Sequence, residues 1–191
     1  MIGKLALAFS APLLLSNAPP SEPIYTDIPA VRMVVCGAVS GTAFRVGSGA
    51  FVTARHVIVA GGCTIDGEWV NVTWESAELD IAVLRTKVHG KPLEIDCGGF
   101  QDRQGYAGVG HARGLPQQRV IFVMFAADID SALPRWMRFS TLFGARFIPG
   151  QSGGPVFSSQ GKVVGVVSGY NTAAPLSYSQ SLSETPLCKG A

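Results

Sequence analysis

Three stretches of the chain hold residues whose types and settings suit nucleophilic catalysis. Pro149-Gly150-Gln151-Ser152-Gly153-Gly154-Pro155-Val156 places a serine inside a glycine-rich turn. An attacking serine needs a sharply bent chain, so that its hydroxyl is exposed and backbone N–H groups converge on the charge developing on a carbonyl oxygen. Glycines on either side permit both. The same composition also makes a plain hairpin turn, so Ser152 requires partners before it means chemistry. His56 follows Phe51-Val52-Thr53-Ala54-Arg55, which reads as a buried strand ending in a small-residue turn, and Val57-Ile58 returns to the core. An imidazole at that edge is placed to act as a general base. His89 and His111 lie in turn-like surroundings without this arrangement, and His111 becomes an alternative base only if His56 is remote from Ser152. Asp80 opens the apolar run Ile81-Ala82-Val83-Leu84. An aspartate at a strand start otherwise caps a turn and faces water. In a triad it accepts the imidazole N–H, fixes the tautomer and stays ionised as the imidazolium forms. Glu78 and Asp66 compete with it on residue type alone.

Positioning such a set is a task for strands. Short runs rich in Val, Ile, Phe and Tyr, separated by glycines, predict strands over residues 31–36, 42–46, 49–53, 69–74 and 81–85. Past the turn-rich Gly98-Gly99 they predict strands over 104–109, 119–125, 136–139, 154–158 and 162–168. A short turn or helix is expected over 56–60, and Gly161-Lys162 marks a hairpin between the last two strands. This is all-β patterning. The chain divides into a signal-like apolar segment and proline-rich lead-in (1–29) without core, an N-terminal unit (30–90), a C-terminal unit (91–175) and a tail (176–191). The boundary falls between Thr86 and Gly99, separating His56 and Asp80 from Ser152. The tail is expected to add one short strand or to stay partly mobile, and it shows no convincing amphipathic helix.

Composition limits the function classes. Of 191 residues, 15% are charged and 47% apolar, with 23 glycines, which argues for a compact, turn-rich chain rather than disorder. The formal net charge is +2, with scattered lysines and arginines, so no nucleic-acid partner is implied. Lys4 precedes a short apolar run to Leu15 that suits a secretory signal and is too short for an ordinary membrane span. A retained arm, in membrane contact or buried in the fold, is the alternative reading of this segment. Cys36, Cys63, Cys97 and Cys188 are too widely spaced for a zinc knuckle. They permit two bridges in an exported chain, or four buried thiols. If one pair forms, Cys36 with Cys63 is favoured, because both lie in the first unit. No metal constellation or phosphate-cradling loop is present, so no cofactor is expected.

Thr53-Ala54-Arg55-His56-Val57, Asp80-Ile81-Ala82-Val83-Leu84 and Gly150-Gln151-Ser152-Gly153-Gly154-Pro155 occur in the order found in trypsin-like, chymotrypsin-fold serine peptidases. The chain resembles the compact bacterial and viral branch of that family, including the HtrA protease domain, over roughly residues 31–170. The resemblance implies two packed antiparallel β-barrels and a serine endopeptidase. In it His56 is the base, Asp80 the orienting carboxylate, Ser152 the nucleophile, and the N–H groups of Gly150 and Ser152 form the oxyanion hole. Gln151 stands where digestive and clotting members carry an aspartate that pairs with a newly formed N-terminus, so activation through that ion pair is not expected. An inactive module that captures extended peptides is the alternative class.

The resemblance also places Ser168-Gly169-Tyr170 at the strand edge that binds substrate backbone, with Ser168 supporting Asp80. It puts Arg146 and Phe147 at the wall of the first specificity pocket. There Arg146 would favour an acidic side chain and Phe147 a small apolar one, unless Arg146 points to solvent. Asp128 and Asp130 decorate a loop, and Gly108 to Gly114 reads as architecture. The expected partner is a protein or peptide substrate, the chain is expected to be a monomer, and a secreted or periplasmic location is favoured over a viral or membrane-associated one.

Overall fold

The computed structural model describes residues 24–47, 49–101, 104–125, 140–142, 146–170 and 177–190. The signal-like segment, the strand expected over 136–139, and Asp128 and Asp130 lie outside them. A two-residue strand β1 (Ile24–Tyr25) opens the described chain. It is followed by β2 (Val31–Cys36), β3 (Val39–Val46), β4 (Ala50–Ala54), a one-turn helix α1 (Arg55–Ile58), β5 (Cys63–Ile65), β6 (Glu68–Trp69), β7 (Asn71–Ser76) and β8 (Ile81–Arg85). The second half holds β9 (Gly105–Gly110), β10 (Gln118–Phe125), β11 (Ser140–Leu142), β12 (Pro155–Phe157), β13 (Val163–Tyr170), β14 (Ser177–Ser181) and a terminal turn α2 (Pro186–Lys189).

These strands form two seven-stranded sheets, one ordered β6-β5-β2-β3-β4-β8-β7 and the other β1-β10-β11-β14-β13-β12-β9. In the second sheet β9 also pairs with β10, so the sheet turns back on itself. The first is open. Its edge strands β6 and β7 are consecutive pieces of chain separated only by Val70, so covalent continuity rather than a hydrogen-bonded ladder joins them. The expectation of two closed barrels is therefore corrected to a β-rich chymotrypsin-like domain with one barrel-like and one open sheet. The physical reason is local: β6 offers only two residues, paired to Thr64 and Ile65 of β5, and β7 is largely exposed, too little apolar surface to draw the edges into register.

Burial explains how the halves meet. Val34, Ala43, Phe51, Ile65 and Leu84 fill the first sheet, and Tyr106, Phe147, Val156, Val164 and Val167 fill the second. Between them lies a third cluster in which Phe44, Val52 and Ile81 from one sheet pack with Val109, Val163 and Val166 from the other. Alternation along the strands produces this, since successive side chains take opposite faces. The lead-in, expected to be without core, takes part in the fold: β1 pairs with β10, and Ile28 packs against the central cluster. Cys36 and Cys63 face each other across β2 and β5 and are bridged, and a second disulfide joins Cys97 to Cys188. The tail supplies both β14, wholly buried although it reads Ser-Tyr-Ser-Gln-Ser, and the short helix α2.

Candidate active site

His56 sits in α1, where β4 ends, and Asp80 sits one residue before β8, the neighbour of β4 in the sheet. The register of these strands brings two residues 24 positions apart into contact. Asp80 adopts φ +49°, a left-handed conformation that aspartate tolerates better than bulkier residues. Its main-chain carbonyl accepts the Arg55 N–H at 3.0 Å. Its Oδ1 accepts the next N–H, that of His56, at 2.9 Å, and Oδ2 lies 2.8 Å from His56 Nδ1. Two successive backbone donors thus hold the residue that in turn fixes the ring. With Nδ1–H donating to the carboxylate, Nε2 is the acceptor of the neutral imidazole. The carboxylate is mostly covered, at 14% exposure, whereas the imidazole is 47% exposed, so one end of the pair is sheltered and the other open to an incoming group.

Ser152 arrives from the second sheet on the loop before β12. Gly153 has φ +87°, and a Cβ there would overlap the Thr42 carbonyl oxygen and Thr53 Oγ1. Only glycine lets the serine loop press against the end of β4, two residues before His56. Gly153 N–H donates to the Val167 carbonyl at 2.7 Å, and Ser152 Oγ donates to the Ser168 carbonyl at 3.3 Å. Ser168 Oγ donates to Asp80 Oδ2 at 2.5 Å. One residue of β13 therefore touches both the serine hydroxyl and the acid. Among the described residues no hydrogen bond joins His56 to Ser152, whose hydroxyl is turned to Ser168.

The other residues singled out from the sequence fall as follows. Asp66 is paired with Arg32 at 2.9 Å and Glu78 is exposed, so neither competes with Asp80. His89 is exposed. His111 N–H donates to Thr42 Oγ1 and its Nδ1 lies 3.0 Å from the Leu115 carbonyl, which turns its ring toward its own turn. Arg146 is exposed, while Phe147 is buried in the second core, its N–H donating to Ser177 Oγ at 3.1 Å. Beyond Val166 the edge of β13 loses its pairing with β12, while Gly169 and Tyr170 remain paired to β14 on the other side. Ser168, Gly169 and Tyr170 thus present, among the described residues, one strand edge beside Ser152 that no other strand pairs with. Among the described residues no group of three His, Cys, Asp or Glu is placed to hold a metal ion. Sequence reasoning missed Thr42, whose backbone N–H donates to the Ser152 carbonyl and whose hydroxyl donates to that of Gly150. A threonine inside an unremarkable strand carried no local signal for this.

Comparison with known proteins fits this arrangement. No curated protein sequence matches the chain. Among solved structures, the active form of the Rv3671c protease from M. tuberculosis superposes with a TM-score of 0.65 at 18% identity, covering 82% of this chain and 77% of that one. The HtrA-type protease AlgW with tripeptide gives 0.66 at 17% identity, covering 85% of this chain and 61% of that one. The serine endoprotease from Yersinia pestis gives 0.65 at 16%, covering 80% and 58%. At such identities the likeness is one of fold. Residues 41–166 match the trypsin-like peptidase domain; spanning both sheets and all three candidate residues, that match shows that the chain belongs to the trypsin-like peptidase family.

Proposed function

We propose that the chain is a serine endopeptidase in which Ser152 is the nucleophile, His56 the general base and Asp80 the carboxylate that orients it. The observation that carries this reading is the Asp80–His56 couple, 2.8 Å between Oδ2 and Nδ1, set where the loop bearing Ser152 packs on the end of β4. Rotation about the Ser152 Cα–Cβ bond takes the hydroxyl from the Ser168 carbonyl toward His56 Nε2. The oxygen then attacks the peptide carbonyl while Nε2 takes its proton, and the imidazolium passes that proton to the leaving amine. The acyl group on Ser152 is released by a water that His56 deprotonates in turn. The oxyanion is received by the N–H groups of Gly150 and Ser152, neither of which donates to another group among the described residues.

The unpaired edge of Ser168 to Tyr170 supports binding of an extended substrate by strand addition, where backbone groups give affinity and alternate side chains give selectivity. Phe147 is packed with Val167 in the second core, where its bulk would favour a small apolar side chain in the first specificity pocket, and Arg146 is exposed. The two disulfides support an oxidising, exported setting.

One observation favours a second reading, a latent or inactive module that captures extended peptides: Ser152 Oγ is engaged by Ser168 rather than His56. Labelling with a fluorophosphonate probe separates the two. Wild type is expected to label at Ser152, with loss in Ser152→Ala and His56→Ala. A folded wild type that does not label supports the binding module, and label retained in Ser152→Ala overturns the nucleophile.

A further inference from the structure

The segment Ile148 to Ser152 places all five of its carbonyl groups in hydrogen bonds within the fold. Ile148 O accepts from Gln151 N at 3.1 Å, Pro149 O from Arg113 N at 2.7 Å, and Gln151 O from Gly154 N at 3.0 Å. Thr42 takes the other two: its Oγ1 donates to Gly150 O at 2.7 Å and its N–H to Ser152 O at 2.8 Å. On the donor side, Ile148 N–H is accepted by the buried side-chain carbonyl of Gln151 at 2.9 Å. In a trans peptide C=O and N–H point oppositely. Bonds to the Pro149 and Gln151 carbonyls therefore fix where the Gly150 and Ser152 N–H groups point, and these are the two backbone donors of the segment without a partner among the described residues.

Thr42 joins the two loops that do this. Its hydroxyl is buried, accepts the His111 N–H at 2.8 Å, and so has its single proton directed to Gly150 O. The turn it thereby holds, His111 to Gly114, is the one whose Arg113 N–H holds Pro149 O. No charged side chain takes part.

We infer that Thr42 is a positioning residue, seconded by Gln151, and that this neutral lattice keeps the two oxyanion donors aligned in place of an activating ion pair. The inference rests on Ser152 being the nucleophile. Without the Thr42 hydroxyl the peptide between the two donors is held at one end only, by the Gln151 N–H on Ile148 O, and a transition state that needs both donors is stabilised less, while ground-state binding along β13 is untouched.

The test uses p-nitrophenyl acetate turnover and dye-labelled casein with wild type, Thr42→Val, Thr42→Ser and Gln151→Met, each checked by thermal unfolding. Outright loss of an oxyanion donor costs roughly 10²–10³ in kcat. Misalignment in Thr42→Val is expected to cost roughly 10- to 100-fold in kcat with KM held within about twofold, a split that follows from a contact made only in the transition state. Thr42→Ser, which keeps the hydroxyl, restores the rate. Gln151→Met removes the acceptor for Ile148 N–H at similar volume, is expected to show the same kcat-only loss, and decides the matter if Thr42→Val does not fold. Wild-type kcat in either folded variant, or a Thr42→Ser variant as slow as Thr42→Val, overturns the inference. So does failure of both Thr42→Val and Gln151→Met to fold, which would make the lattice a folding element. A wild type with no turnover and no fluorophosphonate label overturns the catalytic reading instead.

Discussion

Asp80→Asn changes one atom of the site and leaves its shape, so its effect follows from the hydrogen bonds alone. The carboxylate receives His56 N–H on Oδ1, and His56 Nδ1 and Ser168 Oγ on Oδ2. An asparagine must put its NH₂ at one of these positions. At Oδ1 it meets a backbone donor that cannot become an acceptor. At Oδ2 it meets a serine hydroxyl, which can rotate to accept, and an imidazole nitrogen, which can accept only by giving up its proton. The second orientation is therefore preferred, and it moves the ring proton to Nε2, the atom that must receive the proton of Ser152. The fold survives and the base is disabled. In a Ser-His-Asp triad this exchange lowers kcat by roughly 10⁴, about 5.4 kcal/mol at 1.36 kcal/mol per decade. Ester turnover at neutral pH, with thermal unfolding as the control for folding, measures both halves of the expectation. A folded Asp80→Asn variant whose kcat stays within tenfold of wild type would refute the tautomer argument and Asp80 with it.

Two further expectations concern the frame. Gly153→Ala puts a methyl into the Thr42 carbonyl oxygen at a backbone φ of +87°, so a destabilisation of about 4 kcal/mol or more is expected from urea midpoints; a mild effect would mean that the serine loop and β4 are not pressed together. The Cys97–Cys188 bridge spans 91 residues and Cys36–Cys63 spans 27. The chain-entropy relation assigns them about 4.6 and about 3.6 kcal/mol respectively. Paired Cys→Ser replacement is expected to rank them in that order by denaturant unfolding, and the reverse order would discredit the chain-entropy account for this fold.

What was legible in the sequence was what is encoded locally. Gly150 to Pro155 announces a bent chain, and the runs rich in valine and isoleucine announce β2, β3, β4, β8 and β13, because side-chain shape alone favours a pleated strand there. The helix after β4 and the hairpin around Gly161 followed from the same reasoning. What escaped depends on partners far along the chain. The strand β5 is three residues between glycine-containing turns. Strand β14 reads as a polar loop, yet it is buried because its place between β11 and β13 is set by tertiary pairing. β1 emerges from a proline-rich stretch and has no periodicity to reveal it. In the candidate site, the types of His56, Asp80 and Ser152 were apparent, but not that Ser152 rests on Ser168. The closure of the first sheet was inferred from likeness to relatives, and nothing in the sequence measures how far two edges curl toward each other.

The short strand β1 has a consequence for modularity. The chain passes first along the second sheet, at Ile24 and Tyr25 beside β10, then builds the whole first sheet, and only afterwards returns to complete the second. Gln117 reinforces the return by bonding both the N–H and the carbonyl of Ile28. The two halves are consequently threaded through one another rather than strung in series. Neither half is a severable cassette: a fragment ending at the connector carries away a strand that belongs to the other half. Exchange of one half between homologues would have to carry this N-terminal clasp with the second sheet, not with the first.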